Sequence, residues 1–551
     1  MSHSASPRMG IRTDGLARCP HAFEPADFAG FSYFLGRPGP GQRSRLGENP
    51  AEAQRLLLAL ARALPPSDQY WPEPPLRPNI ATDDNPRIPS GYTYLLQLVA
   101  HDAVQTSVPF WAAAGLGLAS RNLRSAPLVL DTLYGGGPNA STVAYRAAGH
   151  SPGDRTMLRL GRYQSMETGK AATAAECPFR DLARINLEPN SNEVLPANFD
   201  DTYVTCAADV RNDDNIVLAQ LAALFASVHG AIAEQLAGQQ PEAVFGYAQV
   251  AMQRIYHAIV LQDLLPKILH RPVLEALVGR AADDRHWLWQ TDKMPLEFTH
   301  GAFRIGHAMV RPHYKLNGLE IEPLTVGDTL GVGRNRAETR FPLHQAWLVQ
   351  WSHFFEMSTD VAPNLSRRIS PTRSALDAEG LFNSPDGSEP DTLALRDMLS
   401  AALARTWRVD RMLDHILAQN QNPVPSDWLF RDSDDRRDTI YNWLAAHGLD
   451  RADSDTLADD PPLPFFVLLE AALDPAIAGR HLGPLGSIII GEVISRGIAR
   501  ERQQLAPTEC AARAAFRPAF WDEMTAIVSM PDLINFADRH CGFEAAPVPF
   551  I

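Results

Sequence analysis

Residues 84–106 read DNPRIPSGYTYLLQLVAHDAVQT, and this stretch sets the class of the fold. After Pro89-Ser90 the apolar residues recur at helical spacing, which predicts an amphipathic helix from Gly91 onward. Gln97 and His101 are four apart and so share one face, with Asp102 next in sequence. The rest of that face is largely apolar. A histidine and an amide looking out of an apolar helix need polar partners or a cavity. A hydrogen-bonded core histidine would satisfy the same pattern, so this helix alone leaves packing and chemistry both open.

Outward from it, helical periodicity returns at 214–237, 245–269 and 298–310, and in shorter stretches at 344–357, 391–404, 464–473 and 484–499. Alternating strand patterns are scarce and no internal repeat is present, so the expected class is mainly α with long loops and little β structure. Residues 1–88 read as a proline- and glycine-rich arm with one helical stretch at 51–64. Residues 89–505 read as the main domain and 506–551 as a C-terminal extension packed on it. The stretch 432–462, DSDDRRDTIYNWLAAHGLDRADSDTLADDPP, reads as a charged surface insertion.

Composition narrows the class further. The 551 residues carry 50 basic and 64 acidic side chains, a net charge of −14, which argues against a nucleic-acid binder. With 45% hydrophobic residues the chain is globular rather than disordered. Its 36 glycines and 44 prolines imply long irregular connections. Five cysteines (Cys19, Cys177, Cys206, Cys510, Cys541) never fall in CxxC spacing, which argues against a disulfide framework and a cysteine zinc site. The N-terminus has no apolar signal region, and no run approaches the ~20 uninterrupted apolar residues of a membrane span, so the expected compartment is the cytoplasm. HExxH, GxxxxGK[ST] and GxSxG are all absent.

Two further segments carry candidate chemistry. In DVRNDDNIVLAQL (209–221), Asp213 and Asp214 sit at a helix start, where carboxylates cap free amides, and Arg211 precedes them. In FTHGAFRIGHAMVRPHY (298–314), His300 and His307 are seven apart on one helical face, with Gly306 beside His307. A glycine inside a helix costs about 1 kcal/mol relative to alanine and so often marks a close approach. Helix packing and a flat cofactor with His307 as iron ligand both account for it.

Taken together and in order, these segments resemble the animal-type haem peroxidases, bacterial-type members in particular. That superfamily also contains cyclooxygenases and fatty-acid dioxygenases. DNPRIPSGYTYLLQLVAHDAVQT is similar to the family's distal helix and LDTLYGGGP (130–138) to a glycine-rich loop. Residues 209–233 resemble its arginine-bearing helix and AFRIGHAMVRP (302–312) its proximal-histidine helix. TLALRDMLSA (392–401) and residues 461–493 continue the match, which runs colinearly over about residues 85–500.

The resemblance implies one large helical domain around a haem b, since the pocket would draw on residues from Gln97 to Asp397. It implies His307 as proximal iron ligand, His101 as general base then acid, Arg211 as stabiliser of charge developing at the breaking O–O bond, and Gln97 holding water or a halide. Arg304 would pair with a haem propionate. It also implies a calcium site, for which Asp102 and Asp131 are the candidates, although Val129 stands where a carboxylate is expected.

Several positions depart from the family pattern. Ala100 occupies the place of an ester-forming aspartate and Asp214 that of an ester-forming glutamate, while Asn215 excludes a methionine sulfonium link. At most one ester remains, so mostly non-covalent haem is expected. Asp397 replaces the asparagine that usually accepts from the proximal histidine, which favours oxidised iron and a low reduction potential. Ser400 stands where an arginine is common. The implied function is a peroxidase that uses hydrogen peroxide, through a ferryl haem, to oxidise a small organic donor or an easily oxidised halide. Fatty-acid oxygenation, oxidation of a biosynthetic intermediate and a haem-binding protein with decayed activity are the alternatives. The first is disfavoured by Arg304, which stands where oxygenating members carry a radical-forming tyrosine.

Overall fold

The computed structural model describes residues 28–71, 81–107, 120–124, 126–146, 155–161, 180–186, 203–236, 238–281, 284–319, 322–330, 343, 345–379, 392–542 and 548–551. Cys19, Cys177 and the stretches 1–27 and 72–80 of the N-terminal arm lie outside these residues. The principal helices are α1 (Pro50–Ala63), α2 (Gly91–Ala103), α3 (Ile216–Glu234), α4 (Pro241–Ile259) and α5 (Leu393–Ala404). They are followed by α6 (Ser433–Ala446), α7 (Arg451–Asp459), α8 (Leu463–Leu473), α9 (Pro484–Ala515) and α10 (Met530–His540). The fold is mainly α, and among the described residues strands occur only as two-stranded ladders.

The axis of the core is α3, whose side chains are apolar nearly all round. Such a helix must be enclosed, and it packs against α2, α4 and α10. By length and composition it could cross a membrane, yet 89% of its apolar window is buried inside the fold. Asn215 caps it, its side chain accepting from the Val217 amide. This corrects the expectation that Asp213 and Asp214 do the capping: Asp213 is paired with Arg184, and the helix starts two residues later than Asp214.

One contiguous core runs from Phe31 to Phe550, so the arm and the C-terminal extension are parts of the same body. Helix α9 passes unbroken through the boundary expected at 505, with Pro507 inside it. On the arm, α1 packs on α5, and strand Asp84–Pro89 pairs with Leu365–Arg367. Residues 432–462 are not a loose insertion. They form the hairpin α6–α7, which buries Ile440, Trp443, Leu444 and Leu457, a narrow apolar stripe on a charged background.

Two expected helices are also corrected. The stretch 344–357 makes short 3-10 turns (Gln345–Trp347 and Trp351–His353) because the Gln350 and Trp351 amides bond instead to the Leu316 and Phe550 carbonyls. The stretch 298–310 is a π-turn, Glu297–Gly301, running into a 3-10 segment, Ala302–His307. The break falls at Gly301 (φ −118°, ψ −103°). A Cβ there would approach Leu463 to 2.5 Å, so the missing side chain lets α8 close on this segment.

Candidate active site

The 297–307 segment is anchored at its start by Glu297, which is wholly buried and accepts from the Phe34 and Trp407 amides at 2.8 and 2.9 Å. Burial pushes its carboxyl up to about 7 against the pull of those amides. At the other end the His307 carbonyl accepts from Ser374 Oγ at 3.0 Å. Thus pinned, His307 places Nδ1 2.5 Å from Asp397 Oδ2 of α5. Burial lowers the His307 pKa, partly opposed by Asp397, which favours the neutral imidazole. With its Nδ1 proton held by a carboxylate, such a ring carries its lone pair on Nε2, which is the donor that haem iron takes.

The second oxygen of Asp397 accepts from Arg304 Nη1 at 3.2 Å, and Arg304 Nε donates to the Thr299 carbonyl at 2.9 Å. Arg304 thus pairs with the proximal carboxylate, a partner the sequence did not reveal. One turn along α5, Ser400 Oγ lies 2.7 Å from His300 Nδ1. Helix α5 thus holds both histidines of the broken segment, a pairing of His300 that the sequence did not reveal.

Facing this segment is α2, which packs directly against 302–307. Gln97 is its only residue that is not fully buried. His101 is 1% exposed, and its Nδ1 lies 3.0 Å from Asn212 Oδ1. Burial first, then the Arg211 charge, holds its pKa well below the usual histidine range. Asn212 lies 111 residues from His101 in the sequence, so only the fold brings the two together.

Arg211 is close by but turned away from the role the resemblance implied. Four of its N–H contacts go to Asp209 (3.0 and 2.6 Å) and to the Val104 and His101 carbonyls (both 2.9 Å). Arg124 adds a further bond to the His101 carbonyl at 3.1 Å and pairs with Asp209 at 2.5 Å. Burial alone would raise Asp209, yet the Arg211 hydrogen bonds hold it at about 2. Two cations thus meet the carbonyl end of α2, where the helix dipole favours them. Asp214, half-buried, follows this cluster.

Asp102 is wholly buried and accepts from the Leu130 and Thr132 amides at 2.8 and 3.2 Å. Burial pushes its carboxyl up to about 6. The loop it holds is strained, with Leu128 and Leu130 at φ 64° and 61°. From α4, Gln253 Nε2 and His257 Nε2 bond the Val129 and Leu128 carbonyls, both at 2.7 Å. Calcium needs six to eight oxygen ligands, and two N–H groups aimed at Asp102 oppose a cation there. Among the described residues no three such side chains converge, and Asp131 does not join Asp102 in a site. Among the described residues, Asp102 and Asp131 do not form a calcium site. EDTA is therefore expected to leave Tm unchanged, whereas removing calcium held at 100 times its Kd would cost about 2.7 kcal/mol.

Between α2 and the proximal segment, Ala100, Val104, Phe298, His300 and Phe303 line a narrow cavity of about 20 Å³. His307 itself lines a separate cavity of about 30 Å³ with Asp397, Met398 and Phe465, and its donor chemistry fits haem iron.

Comparison with known proteins finds similarity in part of the sequence and in the fold. Residues 154–359 match the family model described as animal haem peroxidase. Fatty acid alpha-dioxygenase of Arabidopsis thaliana is 13% identical, with 95% of this chain and 83% of that one covered and a TM-score of 0.52. The Oryza sativa enzyme of the same name is 12% identical over 96% and 87%, with a TM-score of 0.50. Peroxidase A of Dictyostelium discoideum is 12% identical over 92% and 94%, with a TM-score of 0.46. No curated protein matches the sequence. Residues 154–359 are thus similar to the animal haem peroxidase family, and the chain shares its fold with the fatty acid alpha-dioxygenases.

Proposed function

We propose that this protein is a peroxidase that binds haem b and uses hydrogen peroxide to oxidise a small organic donor or an easily oxidised halide. The observation that carries the reading is the pair of buried histidines on elements packed against each other. His307 is tied to Asp397 and His101 to Asn212. Bound haem supplies the redox chemistry of peroxide cleavage. Within the chain, His307 would hold the iron through Nε2 while Asp397 keeps the Nδ1 proton and fixes the ring plane. His101 would take a proton from incoming peroxide at Nε2 and return it to the departing oxygen. Arg211 supports that step through the end of α2, since its guanidinium is held by Asp209.

Ala100 and Asn215 cannot link to a macrocycle, and Asp214 offers at most one ester. Acid-acetone extraction is accordingly expected to remove most of the haem, and retention of all of it on the protein would contradict that. The reading is tested by supplying haem-loaded protein with peroxide and phenolic donors or iodide, and in parallel with unsaturated fatty acids and oxygen. Donor oxidation is the expected result. Fatty-acid hydroperoxides formed instead would favour the dioxygenase reading, against which stands Arg304, whose guanidinium cannot supply the tyrosyl radical.

A further inference from the structure

The Asn212 amide has one orientation only. Its Nδ2 donates to the Thr132 carbonyl at 2.9 Å, an atom that can only accept. Turning the amide over would set two oxygens against each other there. Oδ1 is thereby committed to the other side, where it receives Thr132 Oγ1 at 3.1 Å and faces His101 Nδ1 at 3.0 Å. Asn212 is 1% exposed and Thr132 wholly buried, so water does not compete for these bonds. An oxygen that can only accept requires a proton on the nitrogen opposite it. In a neutral imidazole the remaining nitrogen then carries the lone pair.

Resting on the peroxidase reading above, we propose that Asn212 is a positioning residue. It fixes the His101 proton on Nδ1, leaving Nε2 as the base that meets peroxide. The Thr132 loop sets the amide, the amide sets the tautomer, and the tautomer sets which nitrogen can accept a proton. The backbone of the same residue is held independently, since the His101 carbonyl accepts from Arg211 and Arg124. The burial that keeps His101 uncharged supports the same assignment. Without the Oδ1 acceptor the ring could place its proton on either nitrogen, and the fraction ready to act as base would fall.

The test is histidine nitrogen NMR on the full chain labelled at histidine, at neutral pH, with the His101 signals assigned by their loss in His101→Ala. A protonated Nδ1 with a pyridine-type Nε2 is expected. A pyridine-type Nδ1, or an even mixture, would overturn the proposal. Asn212→Leu keeps the size and removes the acceptor. It should release the tautomer and slow the peroxide reaction of haem-loaded protein about tenfold or more, part of the ~10²–10⁴ that a positioned base contributes. Asn212→Asp restores an acceptor and should recover the rate to within about threefold of the unaltered protein, a small part of that range. Equal slowing in both variants with the tautomer unchanged would reduce Asn212 to a structural role and overturn the proposal. If Asn212→Leu does not fold, the spectrum of the unaltered chain decides alone. A chain with the expected tautomer that ignores peroxide would sink the peroxidase reading while leaving the proton on Nδ1.

Discussion

His307→Ala is expected to abolish haem retention while leaving a folded protein. The side chain supplies a buried imidazole whose Nδ1 is anchored by a carboxylate, at 2.5 Å from Asp397. Losing a hydrogen-bonded partner behind a metal ligand typically costs about 10–100-fold in affinity, so losing the ligand itself should exceed that, and Asp397→Leu should fall within it. The fold should survive the His307 change because Asp397 keeps its bond to Arg304 and is not left as an isolated buried charge. Haem titration followed by absorbance, with a thermal melt of each variant, separates the two effects. Tight haem binding by a folded His307→Ala protein would remove His307 from the iron.

His101→Ala should behave in the opposite way, taking up haem normally but reacting with peroxide about 10²–10⁴-fold more slowly. The change removes the base without disturbing what holds α2, because Arg211 and Arg124 grip the backbone carbonyl of residue 101 and not its side chain. Asn212 keeps both of its bonds with Thr132. Stopped-flow absorbance on matched haem-loaded samples gives the comparison. An unchanged rate would assign the proton transfer to another group.

The helices that build the centre of this fold were legible because their apolar spacing is local. Helices α2, α3 and α8 lie within a few residues of where periodicity puts them. His101, His307 and Asp397 were legible through the resemblance of their flanking motifs. The partners of these residues were not. Arg211 and Arg304 read as cations reaching for ligand, and only tertiary structure sets Asp209 beside one and Asp397 beside the other. The helical stripe through His300 and His307 was a misreading of the same origin. Its period is right, but Gly301 breaks the backbone where α8 approaches. The α6–α7 hairpin was missed for a different reason: its few buried residues are outnumbered by charges, which masks a narrow amphipathic face. Asn212 carried no local signal at all, because what orients it is the Thr132 carbonyl, 80 residues away.

The proposed peroxidase reading has His101 and His307 serve one haem that reacts with peroxide. It is tested most directly by adding a single equivalent of hydrogen peroxide to the haem-loaded protein and recording the Soret band by stopped flow. A rapid shift that reverses when a phenolic donor is added, and that is lost in His101→Ala, is the predicted result. A haem-loaded protein whose Soret band does not respond to peroxide would contradict the account.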